Sequence, residues 1–322
     1  MNPAPAAAYR ADIDGLRAIS IIAVVIFHAF PAVLPAGFIG VDIFFVISGY
    51  LITGIILRGS HDGRFSLLAF YRRRVQRLLP ALLPVLLFCL VAGYFALLPF
   101  EYASLGRHTA ASSVFVPNLL FWTEAGYFDA DSKLKPLLHL WSLGVEEQFY
   151  LTWPLLLLVA ARIGLSAGVV VAGLLLVSFG LSIIFTGDQA ASFFLPWFRA
   201  WELLLGGWLA WLQQRHGART GAAAQPLALV GLLLLCFALG LIDQQSGFPV
   251  GWALLPTLAA VLLIAAGPDT SVNRTLAQPA LVFIGKISFP LYLWHWPLLS
   301  FARIMEAGEP SPAIRGAAVG IS

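Results

Sequence analysis

YRADIDGLRAISIIAVVIFHAFPAVLPAGFIGVDIFFVISGYLITGIIL, residues 9–57, holds two apolar runs joined by a short Pro/Gly turn. Each run is long enough to cross a bilayer as a helix, yet each carries ionisable groups. Arg17 and His28 stand eleven residues apart. At 100° per residue that is about 1100°, so both lie on one helix face, roughly 16 Å apart along the axis. Asp14, Ile21 and Val24 share that face. In the second run Asp42 stands among apolar residues, with Gly49 on the same face seven residues on. A charge in hydrocarbon is costly unless it faces a protein interior or a water-filled cavity. Arg17, His28 and Asp42 are therefore expected to line a polar cavity inside a helix bundle. Three plainer readings stand beside this one. Arg17 can serve as an interfacial anchor, His28 as a packing histidine, and Asp42 as a helix cap after the turn at Gly40.

The rest of the chain fits a membrane bundle. Of 322 residues, 60% are apolar and 11% charged, and the mean hydropathy is +0.87. Soluble domains carry about 25% charged residues, so the composition reads as a polytopic, all-α membrane protein. The net charge of +3 comes from loop arginines. It argues for orientation in a membrane and against a nucleic-acid partner. Cys89 and Cys236 both lie in apolar runs and read as small buried hydrophobes rather than a disulfide or metal site. No cleavable signal peptide is expected, because the first apolar run leads straight into another.

In chain order, spans are expected at about Ile13–Phe30, Phe38–Leu57 and Leu78–Leu98. The loop between the first two has no Lys or Arg, whereas Arg58 to Arg77 carries six arginines. That asymmetry puts the N-terminus and the arginine segment in the cytoplasm. FSLLAFYRRRVQRLLP is expected as a basic amphipathic segment on the inner surface. Pro99 to Pro136 is placed outside and partly re-entrant. A span then follows in HLWSLGVEEQFYLTWPLLLLVAAR, where His139, Ser142, Glu146 and Tyr150 fall on one face with Glu147 beside it. Further spans are expected at about Leu165–Thr186, Phe193–Leu212, Pro226–Ile242, Val250–Ala266 and Ala280–Ile304. Arg199 and Glu202, three residues apart, are placed to pair. Lys286, Tyr292 and His295 stand among aromatics in the ninth span. Ser311–Ser322 reads as the start of a tenth, cut-off span, so the single domain 1–322 is expected to belong to a longer chain. On this topology His28, Asp42, Glu146 and Arg199 share the outer half, and Arg72 to Arg77 lie at the inner face.

The chemistry these residues permit is broader than one reaction. An arginine cluster at a membrane face serves as a topology signal or a lipid head-group contact; it also matches phosphate in a bidentate way. A neutral histidine beside a carboxylate can act as general base on a hydroxyl or receive an acyl group. Arginine or tyrosine nearby can stabilise an oxyanion. No Gly-rich phosphate loop or HExxH is present.

DGLRAISIIAVVIFHAF followed by GFIGVDIFFVISGYLIT resembles the opening of the membrane-bound acyltransferase-3 family. YRRRVQRLLP resembles its cytoplasmic Arg-x-x-Arg motif, and PLLHLWSLGVEEQFYLTWP its Trp-Ser-Leu…Glu signature. FRAWELLLG and ISFPLYLWHWPLL resemble two later blocks, so the matches run in family order from residue 9 to about 300. The resemblance implies a multi-pass bacterial inner-membrane enzyme. Such an enzyme O-acylates, usually O-acetylates, an extracytoplasmic carbohydrate such as lipopolysaccharide O-antigen, peptidoglycan or exopolysaccharide. Acetyl-CoA is the implied cytoplasmic co-substrate, with no metal. Carried over, Arg17 and His28 match the Arg-x10-His pair, Arg74 and Arg77 the Arg-x-x-Arg motif with Arg73 alongside, and Glu146 and Glu147 the signature glutamates. The implied catalytic set is His28 with Glu146 and Asp42. Arg17, Arg73, Arg74 and Arg77 hold the donor. Glu147, Ser142, His139, Arg199, Glu202, Tyr292 and His295 contact substrate. The HLWSLGVEEQFY region resembles the subgroup in which a further span and an extracytoplasmic SGNH-type domain follow.

Two rival readings remain at this stage. A transporter for a glycan precursor or small metabolite would keep the cavity without the chemistry, and predicts broken helices and inverted repeats. A structural or sensory component would use its polar residues only to join helices.

Overall fold

The computed structural model describes residues 9–125, 132–185, 187–217, 222–243, 248–249 and 251–322. The described residues are all helix, turn and loop, with no strand among them. The two opening runs form α1 (Ala11–Ala29) and α2 (Gly40–His61), the latter entered through a turn of 3-10 helix at Gly37–Ile39. α3 (Leu67–Ala96) is one continuous helix that begins where the Ser66 side chain accepts from the Ala69 amide. The basic stretch Arg72 to Arg77 thus lies in the first turns of this helix. It is not a separate surface segment as expected, and Pro80 and Pro84 are absorbed without ending the helix.

The segment after Leu98 forms α4 (Pro99–Ser113) and α5 (Pro117–Glu124), each opened by a proline whose missing N–H costs nothing at a helix start. Both are too short to span a hydrocarbon core of about 30 Å. They are tied together at Glu124, which accepts from His108 Nε2 at 2.9 Å and from Lys135 Nζ at 3.1 Å. Burial pushes His108 below the usual imidazole range. Partial burial raises Glu124, but the hydrogen bonds from His108 and Lys135 and the Lys135 charge outweigh it and leave the carboxyl below its usual value.

α6 (Leu140–Arg162) and α7 (Ala167–Ile184) follow. The span expected at Phe193–Leu212 is broken instead: α8 (Gln189–Phe194) stops before Pro196, which opens α9 (Pro196–His216). α10 (Gln225–Leu241), α11 (Leu254–Ala266), the short α12 (Ser271–Leu276), α13 (Pro279–Met305) and α14 (Pro312–Gly320) complete the chain. Thr186 and Val250, two expected span ends, lie outside the described residues. Cys89 is buried, but Cys236 is exposed on α10, which corrects the expectation of two buried thiols.

α1 and α2 form the centre. α2 packs most extensively on α9 and α1 on α13, with α6 crossing near α2 and α9. The α2–α9 contact is backbone against backbone. A Cβ on Gly49 would lie 1.8 Å from the Leu203 carbonyl oxygen, and one on Gly206 would lie 2.0 Å from that of Val46. Such close approach is how helices associate where water supplies no drive between them.

By length and composition, Gly37–His61, Leu67–Ala96 and Ala167–Ile184 are long and apolar enough to cross a membrane, and α10 and α11 are shorter apolar helices. α1, α6, α9 and α13 carry more polar and charged residues. Together with α2 and α3, these helices supply the site.

Candidate active site

Two cavities lie inside the bundle. The first, of about 340 Å³, is lined by Arg17, Arg73, Arg74, Arg77, Glu146 and Tyr150 among others. Arg17 does not reach outward as an anchor: its Nη2 donates to Ser288 Oγ at 3.0 Å, and Nη1 lies 3.7 Å from Asp14. Arg74 donates to Glu147 Oε1 at 2.8 Å, and its guanidinium sits 3.8 Å from the centroid of the Tyr150 ring. Glu146 accepts a hydrogen bond from Ser48 Oγ. Four guanidinium groups against three carboxylates, Glu146, Glu147 and Asp14, leave this cavity an excess of positive charge.

The second cavity, of about 400 Å³, is lined by His28, Asp42, His139, Arg199, Trp296 and Arg303 among others. His28 Nδ1 is 2.9 Å from His295 Nε2, and the two rings meet edge to edge, their centroids 5.2 Å apart and their planes 13° from parallel. His295 Nδ1 in turn is 3.1 Å from the Leu291 carbonyl oxygen. Trp296 abuts the His28 ring edge-on at 4.4 Å, and Arg303 donates to the His28 carbonyl at 2.7 Å. The packing role considered for His28 does not account for this polar surround.

Asp42 accepts from Arg199 Nη2 at 2.6 Å, while Arg199 Nε and Nη2 reach the Glu202 carboxylate at 2.5 and 3.1 Å. The helix cap at α2 is Ile39, with no side-chain bond, so Asp42 is an ion-pair partner and not a cap. All three groups are at most 1% exposed. The rings of Phe45, Trp141, Phe193 and Phe248 lie 5.5–5.8 Å from the Arg199 guanidinium. The triad holds α2 to α9 beside the cavity.

Val41 and Tyr292 line both cavities. The Tyr292 hydroxyl donates to the His139 carbonyl at 2.7 Å, and Ser142 Oγ lies 2.7 Å from it. Because the carbonyl takes the tyrosine proton, Ser142 donates to Tyr292, and the phenol has no second proton to offer an oxyanion. Both ring nitrogens of His139 are buried without a partner among the described residues. A third, open pocket of about 790 Å³ shares Lys133 and Arg303 with the histidine cavity.

Sequence position thus brings the expected residues together in two groups rather than one. Arg17, Arg73, Arg74, Arg77, Glu146 and Ser142 line the first cavity, with Glu147 against Arg74 behind it. His28, His139, Asp42 and Arg199 line the second, with Glu202 and His295 directly behind. Tyr292 stands between. The expected pairing of His28 with Glu146 is corrected: α6 starts at Leu140, so Glu146 lies roughly 10 Å along the axis from His139. That depth puts Glu146 among the arginines. Lys286 stands apart from both cavities, 5.4 Å from the Tyr9 ring. Ser48, Ser288 and Arg303 were not foreseen. Arg303, a charge in an apolar run, carried the same signal as Arg17; the serines carried none.

The family model described as an acyltransferase domain matches residues 10–307. The chain belongs to the acyltransferase-3 family. Members of this family are multi-pass membrane proteins and use an acyl donor. A Staphylococcus aureus (strain MSSA476) protein with a provisional O-acetyltransferase name is 33% identical over 315 residues, covering 92% of this chain and 51% of its own. O-acetyltransferase OatA of S. aureus (strain NCTC 8325 / PS 47) is 32% identical over 313 residues, with the same two coverages. The chain therefore spans about half the length of the curated relatives it matches. No solved structure matches it. Within this acyltransferase-3 domain, the motifs quoted above map onto the walls of the two cavities: Arg17 and the α3 arginines on one, His28 on the other.

Proposed function

We propose that this chain is the membrane domain of an O-acetyltransferase that moves an acetyl group from cytoplasmic acetyl-CoA to a hydroxyl of an extracytoplasmic carbohydrate. The observation that carries the reading is the adjacency of an arginine-lined cavity and a histidine-lined cavity across Tyr292 and Val41. The arginine-rich end, Arg58 to Arg77, faces the cytoplasm by the positive-inside rule. Arg73, Arg74 and Arg77 bind the phosphates of CoA, which guanidinium groups match in geometry and charge. Arg17, about 16 Å from His28 along α1, guides the pantetheine arm toward Tyr292.

The acceptor approaches from the opposite side, where the open pocket meets the histidine cavity at Lys133 and Arg303. His28 takes the proton of the acceptor hydroxyl as its oxygen attacks the thioester carbonyl carbon. The C–S bond then breaks, and the proton passes from His28 to the leaving thiolate. The products are the O-acetyl ester and CoA thiol. Asp42, Arg199 and Glu202 hold the cavity wall. Glu146 and Glu147 set the arginines that grip the donor. The acceptor belongs to the envelope glycans, peptidoglycan among them, and the length by which the relatives exceed this chain leaves room for an extracytoplasmic SGNH-type domain.

The test compares wild type with His28→Ala in the full-length protein, at matched membrane abundance, by measuring base-labile acetate on purified envelope glycan. A general base contributes about 10²–10⁴ in rate, so ester should fall at least about a hundredfold. Unchanged ester at equal abundance would refute the assignment and favour a transport or scaffold role.

A further inference from the structure

We infer that His295 is a positioning residue that fixes the tautomer of His28. Its partner on the far side is a backbone carbonyl, which can only accept, so His295 Nδ1 carries the proton directed at Leu291. In the neutral ring Nε2 is then a bare acceptor. It faces His28 Nδ1 at 2.9 Å, so that nitrogen must be the donor. His28 is left with its lone pair on Nε2. Nε2 makes no hydrogen bond among the described residues and is not one of the buried unpartnered nitrogens, so it is accessible from the cavity that His28 lines.

Free histidine side chains favour the opposite tautomer, with the proton on Nε2. The fold therefore reverses an intrinsic preference, and it does so with elements that cannot easily slip. Leu291 and His295 are one turn apart on α13, and α13 packs along α1, which carries His28. His295 is fully buried, so no water competes for its Nε2. The second nitrogen of a functional histidine sets what the first can do. Here it makes Nε2 a proton acceptor pointing into the cavity. This places His295 behind the reacting histidine and not, as its motif position suggested, in contact with substrate.

The purpose of this device rests on the proposed transfer reaction, but the tautomer can be read without it. The full-length protein, labelled with ring-¹⁵N histidine, is studied in membranes by solid-state NMR, with His28 assigned by its loss in His28→Ala. His28 of the wild type should show protonated Nδ1 and bare Nε2. His295→Leu removes the acceptor. His295→Asn can still bond Leu291 but is too short to reach His28, whereas His295→Gln places its carbonyl oxygen where Nε2 was. Leu and Asn should move His28 toward Nε2–H; Gln should retain much of the Nδ1–H population.

A wrong tautomer behind a catalytic histidine costs about 10⁴ in kcat in serine proteases. The Leu and Asn variants should accordingly lose at least about tenfold in kcat with acceptor KM little moved, and Gln should recover most of it. Protonated Nε2 in the wild type would overturn the inference. So would an unchanged His28 spectrum in both the Asn and Leu variants. If Leu fails to fold, the Asn–Gln contrast decides. If His28→Ala retains activity, the transfer reading falls while the spectrum still decides the tautomer.

Discussion

Arg74 shows how much a single side chain carries. Its guanidinium donates to Glu147 and sits over the Tyr150 ring, so two residues of α6 aim it into the first cavity. Arginine held in this way is pre-organised for a phosphate, and lysine would not reproduce its planar fork. Arg74→Lys should raise the KM for the acyl donor about tenfold, the loss of one charge-assisted bidentate contact, while kcat changes little. Steady-state assays on membranes at varied acetyl-CoA check this; an unchanged donor KM would remove Arg74 from the donor site. The sequence made Arg74 visible as a motif arginine, but its supports came from elsewhere. Ser48, which holds Glu146, and Ser288, which holds Arg17, are single polar residues in apolar runs. Nothing in their local pattern separates them from serines that only satisfy their own helix, as Ser20 does at the Leu16 carbonyl.

At the scale of elements, hydrophobic runs and motif spacing were enough to locate the main helices and to put Arg17 and His28 on one face of α1. What spacing along a chain could not give was depth. His139, Ser142, Glu146 and Tyr150 do share a face of α6, but that face is long enough to serve two cavities, and Tyr292 divides it. The break at Pro196 and the fusion of the arginine segment into α3 were likewise missed. Proline is a breaker in one place and tolerated in another, depending on what packs around the freed carbonyl.

The α2–α9 contact tests this level directly. It depends on Gly49 and Gly206, each against a backbone carbonyl of the partner helix. Gly49→Ala must push the helices apart, since the obstacle is backbone and cannot rotate away. The Asp42–Arg199 bond spans the same interface and should be weakened with it. A loss of several degrees in the melting temperature of detergent-solubilised protein, with reduced membrane abundance, is expected; overpacking of this kind costs about 1–3 kcal/mol. Wild-type stability in this variant would mean that the two helices are less tightly apposed.

Across the whole molecule, the polar residues divide into a cationic compartment and a histidine compartment inside one helix bundle. Charges that would be intolerable in lipid meet polar partners inside the bundle: Arg199 two carboxylates, Arg74 Glu147, and Arg17 both Ser288 and Asp14. Transfer across the membrane requires the two compartments to open to opposite sides of it. Sealed membrane vesicles containing the full-length protein and its glycan acceptor, prepared in both orientations, test that claim with labelled acetyl-CoA added outside. Label should enter glycan ester only in vesicles whose cytoplasmic face is outward, and only with His28 intact. Equal labelling in both orientations, or labelling that survives His28→Ala at matched abundance, would contradict it.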